Sequence, residues 1–371
     1  MPAIVFYISG HGFGHASREI EVINAVGRRL PSWQIVVRSA VPRWLFDRTA
    51  RTPLTLIDEP CDTGVIQIDS VRLDEDATIR AAAAFYDRLP QLVDAELVHL
   101  RRHDARLVIS DAPPLACAAA AAHGTPSVVL SNFTWDWIYE AYPASRVSAP
   151  ALLPAIRSAY EHASAAWRLP LHGGFETFAT IVDVPFVARR ATFERERVRD
   201  RLGLPRHAQL ALGSFGGYGL QGFDPARLDC TADWRIVLTG RDAPGPLPGC
   251  VQFIDENAVY DAGMRYEDLV AAVDVVVTKP GYGIISECIA NHTAMLYTSR
   301  GRFAEYDVMV EAMPRFLRCE YIDQEALLAG RWRHALDRLV QKPPPPERPD
   351  VDGARVIAGM IAGLLDQRAR V

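Results

Sequence analysis

The chain has 371 residues, is 49% hydrophobic and carries a net charge of −5. That length exceeds one ordinary core and suits two domains. The apolar fraction speaks against global disorder, and the acidic balance against a nucleic-acid partner drawn by an overall basic field.

In chain order, AIVFYI (3–8) predicts a buried first strand; it is too short for a signal peptide and has no basic stretch before it. SGHGFGH follows as a turn, then REIEVINAVGRRL, with Ile20, Ile23, Val26 and Leu30 at helical spacing. WQIVVRS is the next strand. Asp74, Glu75 and Asp76 stand before the helical stretch ATIRAAAAFY, where acids suit the helix dipole, so they read as a helix start and not as a metal-holding Asp-x-Asp. RLVISD (106–111), an Ala-rich helix from 115 and PSVVLSN (126–132) continue the alternation. The longest small-apolar run, 115–122, is far short of a membrane span. Residues 184–205, rich in Arg and Glu, read as a linker and an entry helix.

The second half repeats the rhythm with QLALGSFGG (209–217), WRIVLTG (234–240), DVVVTKPGYGIISECIA (274–290) and TAMLYTS (293–299). KPPPPERP (342–349) cannot be helix. Val356, Met360, Ile361, Leu364 and Leu365 then mark one terminal helix. Strands alternating with helices predict an α/β architecture of two Rossmann-like, doubly wound domains facing a central cleft. We set the domains at residues 1–187 and 188–345, with 346–371 as a terminal helix, free or packed back on the first domain. Cys61, Cys117, Cys230, Cys250, Cys288 and Cys319 form no CxxC and no zinc spacing with histidine. The expectation is reduced thiols in a cytoplasmic protein, with no metal and no cofactor.

In open parallel sheets, ligands sit at the carboxyl ends of strands, so the loops there carry the chemistry. The first loop has Gly10 and Gly12 of a G-x-G-x-x-G, but His15 stands at the third glycine. The next strand ends in Arg38 and Ser39 with no ribose-binding acid. NAD is thereby disfavoured, and Arg38 leaves a thin case for NADP. His15 near a helix start either packs the turn or faces the cleft. Asp111, at a strand end, either caps the next helix or pairs with His15, fixing its tautomer and raising its basicity. The glycine turn at 213–217 offers free amides to an anion. In KPGYGIISE, Lys279 adds a charge to a helix start, and Glu287 is either a solvated helix acid or within reach of ribose hydroxyls. The loop at 300–307 either holds sugar hydroxyls or is simply exposed. Trp135, Trp137, Tyr139 and Tyr142 form core or an acceptor wall; Asn132 and Asp136, after a strand end, are the better cleft candidates.

Taken in order, SGHGFGHASRE, VISDAPPLA, SNFTWDWIYEAY, IVDVPFVARR, KPGYGIISE and FAEYD resemble the GT-B glycosyltransferases over nearly the whole chain. The likeness is strongest to the glycosyltransferase-like domain of plant L-arabinokinases. It extends more distantly to plant UDP-glycosyltransferases and the N-acetylglucosaminyltransferase of peptidoglycan synthesis. No G-x-x-x-x-G-K-[ST] appears, so a sugar-kinase activity is not carried over. The resemblance implies His15 as base and Asp111 as its partner. It implies donor contacts from Gly14, Ser214, Phe215, Gly216, Gly217, Lys279, Gly281, Tyr282, Gly283, Ile284, Ser286 and Glu287. Gly283 and Ile284 replace phosphate-binding side chains, so backbone amides would serve there. The usual acid–Gln pair for the donor sugar becomes Glu305 and Tyr306. His11, Arg18, Asn132, Trp135 and Asp136 are assigned to the acceptor. The implied activity is inverting, metal-independent transfer from a nucleotide-sugar, with UDP as the nucleotide, to a hydroxyl of a small acceptor. Alternatives are a non-hydrolysing sugar-nucleotide epimerase and a non-catalytic nucleotide-sugar-binding module.

Overall fold

A computed structural model describes residues 1–216, 219–229, 233–240 and 245–369. Among them, two all-parallel sheets form the frame. The first contains β1 (Ala3–Ile8), β2 (Gln34–Ser39), β3 (Thr55–Asp58), β4 (Ala105–Asp111), β5 (Ser127–Phe133), β6 (Ala165–Gly173) and β7 (Ile181–Asp183), in the order β3-β2-β1-β4-β5-β6-β7. The second contains β8 (Gln209–Ser214), β9 (Trp234–Gly240), β10 (Val251–Asp255), β11 (Val275–Thr278), β12 (Ala294–Tyr297) and β13 (Cys319–Tyr321), in the order β10-β9-β8-β11-β12-β13. The central strands β1, β5, β11 and β12 are buried along their whole length, which is why they read as unbroken apolar runs. Both sheets have a doubly wound order that reverses at their first strand, and the loops after β1 and β4, and after β8 and β11, open at those reversals.

Asp74 caps the helix Glu75–Tyr86 by accepting from the Ala77 amide at 2.8 Å, so its carboxylate is engaged as a helix start. The terminal helix Gly353–Ala369 packs on the helix Phe13–Arg29 of the first sheet's layer. The chain reaches it past the linker, with Phe186 and Asp350 hydrogen-bonded through backbone at 3.1 Å. No helix of the described residues is long and apolar enough to cross a membrane.

One sequence expectation is corrected. Cys61, Cys117, Cys288 and Cys319 are free and buried, but Cys250 is disulfide-bonded, so reduced thiols throughout do not hold.

Candidate functional site

The turn after β1 is tight. Gly12 sits at φ 75°, a conformation that favours glycine, and donates to Gly10 at 2.9 Å. This starts the helix Phe13–Arg29 at the carboxyl end of β1 and sets His15 over the end of β4, where Ile8 and Asp111 are register partners. His15 Nδ1 lies 2.8 Å from Asp111 Oδ2. The other Asp111 oxygen takes Arg18 Nη2, and Arg18 Nη1 donates to Asn132 Oδ1 at 2.8 Å. Asp111 is fully buried. Burial pushes its carboxyl up, but the Arg18 guanidinium and then His15 outweigh that and hold it below the usual range. An ionised Asp111 keeps the proton on Nδ1 and leaves Nε2 as the free ring nitrogen. Glu19, also fully buried, lies 3.5 Å from Arg18 Nε, and among the described residues neither of its oxygens has a hydrogen-bond partner. Burial, then Asp111, pushes Glu19 well up and favours its protonated form.

The second domain brings a matching helix start. The helix Tyr282–Ala290 begins at Gly281, and a Cβ on Gly283 would touch Gly14 Cα at 3.5 Å. Two positive helix ends therefore converge on one gap, a ready anion site. Two cavities open from it. The first, about 400 Å³, is lined on one side by His11, His15 and Asn132 and on the other by Lys279, Arg300 and Glu305. The second, about 360 Å³, is lined by Trp44, Thr239, Tyr260, Tyr266 and Glu287. Gly14, Ser214, Phe215, Gly216, Gly283 and Ile284 line both, so the cavities are one cleft with the helix starts at its waist.

His11 accepts from the Val65 amide at 3.2 Å and stacks on Phe303 at 6.0 Å. Burial, then His15 and Arg300, pushes it well below its ordinary value, so it is neutral. Burial and then Arg300 also push the Lys279 amine well down, against the pull of Glu305. Glu287 receives Arg189 Nε at 2.8 Å, and Arg189 also meets Glu267 at 3.3 Å.

No protein-family model matches the chain. It is 30% identical over 349 residues to L-arabinokinase of Arabidopsis thaliana, an alignment covering 91% of this chain and 32% of that protein. It is 24% identical over 301 residues to an uncharacterized glycosyltransferase of Methanopyrus kandleri, covering 74% and 80%. The glycotransferase of kitacinnamycin matches with a TM-score of 0.63 at 19% identity over 99% of each chain. The calicheamicin glycosyltransferase CalG4 matches at 0.60 and 15%, over 100% of this chain and 98% of that one. UGT2 of Phytolacca americana, solved with UDP-2fluoro-glucose and pterostilbene, matches at 0.59 and 13%, over 98% and 94%. The chain has the fold of the GT-B glycosyltransferases. It spans about a third of the length of the plant relative, so that protein's named activity is not transferred to it.

Within the GT-B cleft, His11, Gly14, His15, Arg18, Asn132, Ser214, Phe215, Gly216, Lys279, Gly281, Tyr282, Gly283, Ile284 and Glu305 line the first cavity, and Glu287 lines the second. Gly217 lies outside the described residues. Five expected residues line neither cavity: Asp111, which lies behind His15, and four others. Trp135 is fully buried, donating to Asp62 at 2.8 Å, and Asp136 is buried against Arg157 at 2.9 Å. Ser286 bonds back to the Gly283 carbonyl at 2.9 Å, inside its own helix. Tyr306 is half-buried, and its hydroxyl is pushed up by burial and then by Tyr321. Arg18 reaches the cleft wall, but its guanidinium is taken up by Asp111, Asn132 and the Tyr282 ring, 5.0 Å away. It positions the Asp111 side chain more than it offers donors to an acceptor.

Sequence reasoning missed Phe13, Gln67, Phe133, Thr278 and Phe303 in the first cavity. It also missed Trp44, Arg189, Tyr260 and Tyr266 in the second. Phe13 and Phe133 had a visible signal as neighbours of the glycine turn and of Asn132, and Phe303 and Arg189 had one inside FAEYD and IVDVPFVARR.

Proposed function

We propose that the chain transfers a sugar from a nucleotide-sugar, UDP-linked, to a hydroxyl of a small acceptor, with inversion and without a metal. The observation that carries this is the His15–Asp111 pair at 2.8 Å, on the wall of a cavity that opens from two converging helix starts. His15 Nε2 takes the acceptor hydroxyl proton as that oxygen bonds to the anomeric carbon and the bond to the diphosphate breaks. Asp111 stabilises the imidazolium. Charge developing on the leaving diphosphate meets the amides of the two helix starts and Lys279.

The nucleoside belongs in the second cavity with its ribose toward Glu287, the diphosphate at the shared waist, and the sugar in the first cavity beside Glu305. Acceptor binding then falls to residues 1–187 and donor binding to 188–345, with 346–371 crossing back to the first domain. UGT2, complexed with UDP-2fluoro-glucose and pterostilbene, supports a cleft that takes a UDP-sugar and a small molecule together. A cytoplasmic location is proposed with this reading even though Cys250 is disulfide-bonded, and cell fractionation tests it.

The decisive experiment is a screen of nucleotide-sugars against a panel of small hydroxyl compounds, with products identified by mass and anomeric configuration, in EDTA. A β-product from an α-linked donor, formed in EDTA, is expected. An epimerised nucleotide-sugar, or tight donor binding with no product from any acceptor, overturns the reading.

A further inference from the structure

Among the described residues, six arginines are buried: Arg18, Arg38, Arg189, Arg199, Arg265 and Arg300. Five are ion-paired, to Asp111, Glu96, Glu287, Asp274 and Glu267 respectively. Arg300 has no carboxylate within ion-pair distance among the described residues. Its one protein acceptor there is the Pro280 carbonyl, 3.3 Å from Nη1. The guanidinium lies 4.0 Å over the Phe303 ring centroid, which fixes its plane. A buried guanidinium cannot lose its proton, and leaving it unpaired is unfavourable. Among the described residues, Glu305 pulls on this cation from the same cavity without forming an ion pair, so the planar fork stays open to a ligand's counter-charge.

Its place in the cleft says which part of a ligand brings that charge. The helix starts at Gly14 and Gly283, with Ser214 and Gly216, line the waist shared by both cavities. Arg300 lines only the first cavity, on the His15 side of the waist, in the loop that leads into the helix Ala304–Phe316 carrying Glu305. Lys279 lines the same cavity and directly precedes the segment that opens the Tyr282–Ala290 helix, so it is the cation nearer the diphosphate. Lys279 is a compact charge suited to phosphate, whereas Arg300 presents a flat fork that matches a carboxylate with two parallel hydrogen bonds.

We infer that the donor sugar carries a carboxylate, making the donor a nucleotide-activated uronic acid, with Arg300 as the residue that selects it. This rests on the transferase reading above. Glu305 then accepts from the sugar hydroxyls.

The test is calorimetric titration of the full chain with UDP, UDP-glucose and UDP-glucuronate, without acceptor. The parent protein is expected to bind UDP-glucuronate roughly 10- to 100-fold more tightly than UDP-glucose, the range for a charge-assisted hydrogen bond. Arg300→Gln is expected to erase that preference and leave UDP affinity unchanged, and Arg300→Lys to keep part of it. Arg300→Gln orphans no ion-paired carboxylate, so its fold is retained, and UDP binding checks this in the same titration. Equal affinity for the two sugars in the parent protein overturns the inference. So does an equal loss of UDP and UDP-glucuronate in Arg300→Gln, which would assign Arg300 to the diphosphate. Failure of UDP itself to bind the parent overturns the transferase reading together with this one.

Discussion

Asn132 and Glu305 meet across the cleft, the Asn132 amide donating to Glu305 Oε1 at 3.4 Å while its oxygen accepts from Arg18 at 2.8 Å. Arg18 in turn holds Asp111. A continuous chain of polar contacts thus runs from the carboxylate behind His15 to the acid on the opposite wall. The orientation of His15 and the position of Glu305 are therefore linked through one hydrogen-bonded chain.

Removing the base and removing its partner should fail in different ways. His15→Ala is expected to lower turnover by about 10²–10⁴-fold with UDP affinity and Tm little changed. Asp111→Asn should also destabilise the fold by roughly 3–5 kcal/mol, because Arg18 is left as a buried charge without its partner. Single-turnover kinetics and urea unfolding separate the two effects. Near-parental turnover in His15→Ala would remove His15 from the mechanism.

Glu287→Ala probes the nucleoside cavity. Loss of charged hydrogen bonds to a ribose is expected to weaken UDP by about 10-fold or more, net of water. Arg189 keeps Glu267 at 3.3 Å, so the fold should tolerate the change. Acceptor-analogue binding should be unaffected. Calorimetry on parent and variant reads both, and unchanged UDP affinity would move the nucleoside out of the second cavity.

Lys279 predicts proton uptake on donor binding. Burial and then Arg300 hold its amine well below the ordinary value in the free protein. A diphosphate favours the charged form and raises it again. Between the free and bound values, binding draws a proton from solution, so affinity falls as pH rises through that window. Titrations in two buffers of different ionisation enthalpy should differ in apparent enthalpy, and Lys279→Met should abolish the difference. Identical enthalpies in the parent would separate Lys279 from the phosphates.

Asp62 gives a stability test independent of activity. Burial pushes its carboxyl from 3.8 up to about 6, against hydrogen bonds from Ser9 and Trp135. Between these values the folded state holds a proton that the unfolded chain has released. Asp62 therefore favours folding at low pH, and that contribution declines as pH rises through the window. The full change is about 3 kcal/mol. Asp62→Asn keeps an acceptor for Trp135 but does not titrate. Its stability relative to the parent should rise by that amount between about pH 4 and pH 6.5, measured by urea unfolding. A constant difference across that range would show that Asp62 is ionised throughout.

The sequence by itself determined the two-sheet frame and the ends of the strands that matter. Apolar runs such as AIVFYI and VVVT are continuous because central parallel strands are covered on both faces, and glycine turns punctuate them visibly. Edge strands β3, β7 and β13 are short and partly exposed, so they left no such pattern. His15 and Asp111 were legible as strand-end residues; their meeting was a consequence of β1 and β4 being neighbours. Only the tertiary structure decided which charges are free. Arg18 and Asp111 are 93 positions apart, and Arg189 and Glu287 are 98 apart. No local pattern marks those pairs, and none marks Arg300 as lacking one. Trp135 and Asp136 follow a strand end as cleft residues do, yet Asp62 and Arg157 draw their polar atoms away from both cavities. Spacing along a chain determines which face a side chain can take. The partner that satisfies a buried charge is set by packing between distant segments, and that is where the specificity of this cleft resides.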